Sequence, residues 1–241
     1  MFESKPYLSV VIPAYNEERR ILRTLRVIKG YLEKQKYSWE IVVVSDGSKD
    51  KTLQVINDQK IEGVRAIEYS PNMGKGYAVN YGYGESKGEV ILFCDADNAT
   101  PFAEIEKLLD FISDYPVVIG SRYLKDSDIK VKQPLIRRML SRAGNVLVQL
   151  LLLPGFPDTQ CGFKMFRREQ AEQIFKRQTI WRWGFDMEIL FIAKKLRYKI
   201  RQVPVNWLDQ QDSRLQSSSA SMTVLRELMS IRLKGWIGKY R

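Results

Sequence analysis

Asp95 and Asp97 stand one residue apart at the end of the apolar run from Glu89 to Phe93. Alternate side chains of an extended chain share a face, so both carboxylates point the same way just before Asn98, Thr100 and Pro101. Paired carboxylate oxygens suit a hard cation, Mg²⁺ or Mn²⁺. Mg²⁺ in particular is held by a few carboxylates together with substrate phosphates, so the expected ligand is a nucleotide diphosphate. The competing reading is that the two acids cap the helix that follows Pro101.

These carboxylates need a frame. Residues 7–12 read as a first strand, and the turn Pro13-Ala14-Tyr15-Asn16-Glu17-Glu18 leads into a helix expected from Asn16 to about Gln35, with Ile21, Leu22, Leu25, Ile28 and Leu32 at helical spacing. Residues 40–45 form a second apolar strand, and Asp46 to Asp50 turns into a helix capped by Asp50. A third unit runs from Val64 through Asn72-Met73-Gly74-Lys75-Gly76 to a helix ending near Lys87, and the fourth strand ends at Asp95. Strands alternating with helices at this spacing give right-handed crossovers, and ligands bind such sheets at the carboxyl ends of the strands. Tyr15, Asp46, Lys75, Asp95 and Asp97 should therefore meet at one edge. Read singly, Asp46-Gly47 is also an ordinary turn and Gly74-Lys75-Gly76 an ordinary helix entry. Neither G-x-x-x-x-G-K-[ST] nor G-x-G-x-x-G is present, which weakens a P-loop or a dinucleotide dehydrogenase. After a helix over 102–113, a strand at 116–119 ends in Gly120-Ser121-Arg122, where Arg122 is either a bidentate phosphate ligand or a surface arginine.

The chain has no histidine and only Cys94 and Cys161 as cysteines. Ser-His-Asp and Cys-His catalysis, Cys/His zinc sites and a disulfide framework are excluded, leaving carboxylates, Lys, Arg and metal as the available chemistry. No apolar stretch approaches the roughly 20 residues of a membrane span and no secretory signal is evident, so a cytoplasmic, peripheral location is expected. Charge is uneven: residues 1–124 carry 16 Lys and Arg against 18 Asp and Glu, and residues 125–241 carry 23 against 10. The basic half calls for a polyanionic partner, an anionic membrane surface or nucleic acid, though it carries no recognised nucleic-acid motif. Lys130, Lys132, Arg137, Arg138 and Arg142 precede the apolar run 146–153, so 130–153 reads as either an interfacial helix or a buried one. The polar loop Asp158 to Lys164 and the helix opening at Trp181 to Glu188 are unusual enough in composition to suggest function. Residues 221–241, with Met222, Leu225, Met229, Leu233 and Trp236 along one side, read as either a second basic amphipathic segment or a helix packed on the domain or a partner subunit.

Taken as an ordered set, these stretches resemble the inverting glycosyltransferases of family 2: Val11 to Glu17, Val44 to Ser48, Asn72 to Gly76 and Asp95-Ala96-Asp97. The second half resembles the dolichyl-phosphate β-glucosyltransferases and their mannosyltransferase relatives, through Gly120 to Arg122, Asp158 to Lys164, Trp183 to Leu190, Val205 to Trp207 and Asp212 to Leu215. The resemblance implies an α/β GT-A fold, Rossmann-like, with a mostly parallel central sheet flanked by helices. It implies a catalytic domain over 1–220, split into a nucleotide-sugar half (1–124) and an acceptor half (125–220), followed by the basic segment 221–241. Pro13, Ala14, Tyr15, Glu17, Asp46 and Lys75 would hold the donor, and Asp95 and Asp97 the Mg²⁺ or Mn²⁺ and diphosphate. Arg122, Gln160 and Arg214 would contact phosphates of donor or acceptor. Where Gly-Ser-Lys-Leu is expected the chain has Asp212-Ser213-Arg214-Leu215, which keeps the charge but changes its geometry. The implied reaction moves a hexose, glucose from UDP-glucose or mannose from GDP-mannose, to a polyprenyl phosphate at a membrane surface. A family member with a non-lipid acceptor is the alternative. Asp158 is the candidate for orienting the acceptor or taking a proton, with Asp186 and Glu188 next; the competing reading of Asp158 is a loop-stabilising Asx turn. Oligomeric state is left open.

Overall fold

The computed structural model describes residues 5–127, 129–130, 144–208 and 218–240. Seven strands form the main sheet: β1 (Leu8–Ala14), β2 (Trp39–Asp46), β3 (Val64–Tyr69), β4 (Val90–Cys94), β5 (Val117–Ser121), β7 (Phe163–Arg167) and β8 (Ile200–Pro204), in the order β3-β2-β1-β4-β7-β5-β8. The short strands β6 (Ile129–Lys130) and β9 (Trp207–Leu208) pair with each other in parallel. β1, β2 and β4 are runs of Val, Ile and Leu with almost no exposed position, as expected of strands covered on both faces.

Alternation along each strand divides the core. Val11, Val42, Val44, Ile91 and Phe93 face one layer, made by α3 (Lys75–Glu85), α6 (Arg168–Phe175), α7 (Phe185–Lys195) and the inward side of α8 (Ser218–Trp236). Val10, Ile12, Ile41, Val43 and Leu92 face the other, made by α1 (Ile21–Leu32) and α4 (Ile105–Ile112). α2 (Thr52–Asp58) covers the outer sheet beside α1 and β3. The helix α5, residues 144–151, leads Leu152 and Leu153 into the first layer together with its own Val148, while Val146 and Leu150 stay exposed. The described part of 130–153 is therefore core-packed along one side, and its basic part, residues 131–143, lies outside the described residues. Among the described residues no helix is long and apolar enough to cross a membrane.

Two elements depart from expectation for definable reasons. α1 begins at Ile21 rather than Asn16 because the entry turn is bonded sideways instead of along a helix axis. Asn16 N donates to Ser48 Oγ and Asn16 Oδ1 accepts from Lys49 N, while Glu17 N and Glu18 N donate to Thr52 and Asp50. Phe163 and Lys164, expected in a loop, begin β7, which runs antiparallel to both β4 and β5. The other main strands point the same way, so the edge where they end is where β7 starts. Cys94 is paired with Phe163, and the 158–162 loop is thereby delivered to Asp95.

α3 lies so close to the sheet that a Cβ at Gly82 would stand 2.5 Å from Val11 Cγ1 and 2.7 Å from Val44 Cγ2, whereas a Cβ at Gly84 would meet nothing within 4 Å. Gly82→Ala should destabilise the chain by about 1–3 kcal/mol through overpacking. Gly84→Ala, in the same helix, should be neutral or stabilising by about 0.5–1 kcal/mol. Thermal unfolding of the two variants checks this, and equal melting temperatures would contradict the close contact of α3 with β1 and β2.

Candidate active site

The carboxyl ends of β1, β2, β4 and β5 open onto a cleft of about 410 Å³. Pro13, Ala14, Tyr15, Glu17, Asp46, Lys75, Asp95, Asp97, Arg122 and Gln160 all line it. The strand order reverses direction between β1 and β4, which is where such a sheet leaves a crevice. Asp158 does not line the cleft, and Arg214 lies outside the described residues.

On one side of the cleft, Asp46 ends β2 with its carboxylate buried and fully engaged. It accepts from Tyr69 Oη at 2.8 Å, Asn72 Nδ2 at 2.8 Å, Met73 N at 2.7 Å and Gly74 N at 3.0 Å. Its local work is to fasten the 72–74 loop against the end of β2, so that this loop becomes a fixed wall. Burial and the bond to Asp46 push the Tyr69 phenol far above its ordinary range.

At the centre, the Asp95-Ala96-Asp97 turn is braced from below by Thr24 Oγ1, which donates to Ala96 O at 2.7 Å. Asp95 Oδ1 pairs with Lys75 Nζ at 2.6 Å, and Asp95 N donates to Gly162 O. A Cβ at Gly162 would fall 2.1 Å from Asp95 Oδ2, so glycine alone lets the β7 entry pass over this carboxylate. Asp97 Oδ1 accepts from Ala99 N at 3.0 Å. Burial, and then the charge of Asp95, raise the Asp97 pKa, and Lys75 and Arg20 offset this only in part. Burial works against the charge of Lys75, but Asp95, Asp186 and Asp97 outweigh it and raise the ammonium pKa.

Two further ion pairs flank the cleft, each with one member in its lining, Asp186 in the first and Arg122 in the second. Lys164, fully buried on β7, bonds Asp186 at the start of α7, and its ammonium lies 5.6 Å from the Phe93 ring centroid, with Lys75 Nζ at 5.2 Å from the same ring. Arg122 is gripped by Asp158 through Nε at 2.7 Å and Nη2 at 2.9 Å, and its backbone N–H donates to the same carboxylate at 2.9 Å. The bidentate edge expected to hold a phosphate is thus occupied by Asp158, and the guanidinium rests 5.4 Å from the Trp207 ring. Burial alone would raise Asp158, but Arg122 overcomes it and holds the carboxyl below the ordinary range. Buried and doubly bonded, the Asp158 carboxylate fixes the orientation of Arg122. Glu188, the further candidate base, is also structural, accepting from Thr179 N, Ile180 N and Tyr240 Oη. Both thiols are buried, and burial pushes Cys161 up to about 12.

Sequence reasoning did not single out Arg20, Arg182 and Trp183 as cleft residues, nor the buried Lys164. Arg182 and Trp183 sit in the composition-rich stretch that preceded α7, a usable signal. Arg20 falls within the expected first helix and Lys164 at the end of the 158–164 loop, and no local pattern marks the first as a cleft residue or the second as buried.

Asp158→Asn should leave the Arg122 guanidinium buried without its counter-charge and destabilise the fold by about 3–5 kcal/mol at neutral pH. With its native pKa lowered, Asp158 contributes stability at pH above the ordinary aspartate value of about 3.9, and the contribution is lost as pH falls through the native value. Denaturant unfolding followed against pH should show the gap between wild type and variant narrowing below about pH 4. A gap that stays constant would place the stabilisation elsewhere.

Residues 9–175 match the family model for glycosyl transferase family 2. Among curated proteins, the dolichyl-phosphate β-glucosyltransferase of Dictyostelium discoideum is 38% identical over 250 residues, covering 98% of this chain and 76% of that protein. The enzymes of that name from Homo sapiens and Saccharomyces cerevisiae are each 37% identical, covering 97% and 98% of this chain and 77% of their own lengths. Among solved structures, glucosyl-3-phosphoglycerate synthase from Mycobacterium tuberculosis in complex with Mn²⁺, UDP-glucose and phosphoglyceric acid superposes with a TM-score of 0.68 at 18% identity, over 94% of this chain and 79% of that one. The same enzyme in complex with UDP gives a TM-score of 0.68 at 19% identity. A mostly parallel seven-stranded sheet that matches the fold of those structures and a family match over most of the length lead to one conclusion: this chain belongs to glycosyl transferase family 2 and is a glycosyltransferase of the GT-A fold.

Proposed function

We propose that this glycosyltransferase moves glucose from UDP-glucose to a polyprenyl phosphate of the dolichyl type, with inversion at the anomeric carbon. The relatives' names support the donor sugar and acceptor class. The observation that carries the reading is the Asp95 and Asp97 pair in a cleft whose walls are the Asp46-fastened loop and the Arg122–Asp158 clamp.

The donor set fits a divalent cation. Two hard oxygen ligands converge on one turn, and Asp97 is disfavoured as a carboxylate because burial and Asp95 outweigh the cations beside it, which is the imbalance a bound cation relieves. Asp95 and Asp97 would hold Mg²⁺ or Mn²⁺, which supplies neutralisation of the departing diphosphate. Among the described residues no cluster of three or more Asp, Glu, Cys or His could complete such a site, so the remaining ligands would come from donor phosphates.

In the transfer, a phosphate oxygen of the acceptor bonds to the anomeric carbon as the bond to the UDP oxygen breaks, and UDP leaves with that electron pair. A phosphate monoester has a second pKa near 6, so the attacking oxygen is already deprotonated at neutral pH and no protein base is required. Arg122, locked in one orientation by Asp158, offers a fixed positive charge at the cleft, and Gln160 is held beside it by its own N–H to Asp158 Oδ1 at 3.2 Å. Arg20 and Arg182 add positive charge to the cleft lining, while Trp183 and Trp207 give it apolar surface that excludes water. Pro13, Ala14, Tyr15 and Glu17, at the end of β1, are the nucleoside side of the same cleft.

Incubation of the chain with Mn²⁺, dolichyl phosphate and a panel of nucleotide sugars, followed by mass identification of the lipid product, should give dolichyl-phosphate glucose from UDP-glucose. Asp97→Ala should lower the rate by about 100-fold or more. Undiminished transfer by that variant would remove the metal assignment, and a product formed only from GDP-mannose would replace the donor.

A further inference from the structure

α8 is apolar on two opposite sides. Its inward side sends Leu228 and Ile231 into the core, and Gly235 lies against Phe191 of α7. The opposite side carries Leu225, Met229 and Leu233 at four-residue spacing, with Trp236 and Ile237 at its end, and these are 40%, 47%, 53%, 67% and 78% exposed. Large apolar side chains so exposed and so aligned form a continuous stripe.

Cations border that stripe. Arg226 and Arg232 project on either side of it, Lys239 follows, and the Arg232 guanidinium lies 5.0 Å from the Trp236 ring. Glu227 is the sole acid between residues 218 and 241, and it is turned inward, where Oε2 accepts from Gly184 N at 2.7 Å. A face with apolar centre, basic margins and no acid suits an anionic lipid surface, into which the apolar groups sink while the cations meet headgroups. A second copy of the chain would bring the same cations together without a counter-charge.

The inward attachments tie this face to the cleft. Beyond the Glu227 bond to Gly184, Lys234 Nζ donates to Thr179 Oγ1 at 2.7 Å and Tyr240 Oη donates to Glu188 Oε1 at 2.6 Å. The segment so held, 179–184, contributes Arg182 and Trp183 to the cleft lining. We propose that the outward face of α8 docks the enzyme on anionic lipid, and that its rigid attachment to the 179–184 segment sets the cleft beside that surface. The inference rests on the reading of a lipid phosphate as acceptor, and it names how that acceptor is met.

Vesicle flotation of the full chain tests it, with phosphatidylcholine alone and with phosphatidylcholine containing phosphatidylserine. Wild type should float with the anionic vesicles, float poorly with the neutral ones, and be released by salt. M229E/L233E should bind at least about ten-fold more weakly, while transferring glucose to a short, water-soluble prenyl phosphate at the wild-type rate. R226E/R232E keeps the apolar stripe and should lose the preference for phosphatidylserine. Flotation of M229E/L233E equal to wild type would overturn the proposal, as would a wild-type dimer that fails to float and that M229E/L233E dissociates. Correct flotation by all proteins without any lipid-linked glucose would leave docking standing and remove the acceptor reading instead.

Discussion

Buried charge at one edge of a sheet is the constraint on which the rest of this structure depends. Lys75 with Asp95, Lys164 with Asp186 and Arg122 with Asp158 lie at or beneath the cleft, and Lys164, Asp158 and Asp186 are almost wholly removed from water. A lone ion so placed would cost several kcal/mol, and each is tolerable only because its partner is fixed at hydrogen-bonding distance. Asp97 is the member with no direct ion pair among these, held by one backbone N–H and raised in pKa by burial and by Asp95. Among the described residues these site charges are therefore paired except at Asp97, where negative charge is locally in excess.

The topology exists to bring those partners together. β7 runs against its neighbours, so its first residue meets the last residue of β4, and the loop before it crosses directly over Asp95. Gly162 permits that crossing, while Asp158 in the same loop reaches Arg122 at the end of β5 and Lys164 one turn of chain later reaches Asp186 on α7. One reversed strand and the loop before it thus tie together three elements, β4, β5 and α7. The same logic fastens the wall at the end of β2, where a single carboxylate, Asp46, gathers Tyr69, Asn72, Met73 and Gly74 from a different part of the chain.

What could be read in the amino-acid sequence follows from the range of each interaction. Apolar runs punctuated by Asp46, Asp95 and Arg122 are local patterns, and the rule that ligands collect at strand carboxyl ends was enough to bring Tyr15, Asp46, Lys75, Asp95 and Asp97 to one cleft. The pairing of Asp158 with Arg122 spans 36 residues and leaves no local trace, so neither the reading of Asp158 as acceptor-orienting residue, proton acceptor or turn former nor that of Arg122 as phosphate ligand or surface arginine included the bond between them. The start of α1 was misplaced because Asn16 to Glu18 bond to residues 48–52 rather than along a helix. β7 was missed because a short strand containing Lys164 looks polar until its ammonium is seen paired with Asp186. α8 was recognised as amphipathic from its Leu and Met spacing, but that stripe faces outward, and Leu228 and Ile231 on the other side pack inward.

At Asp95 and Asp97 the cleft holds a negative imbalance, which we propose a metal and a nucleotide diphosphate resolve together. Calorimetric titration of the purified chain with UDP, in the presence and absence of Mn²⁺, tests it most directly, because binding is read without any transfer reaction. UDP should bind at least about ten-fold more tightly when Mn²⁺ is present, since each ligand supplies what the other needs. Equal affinity for UDP in the two titrations would contradict it.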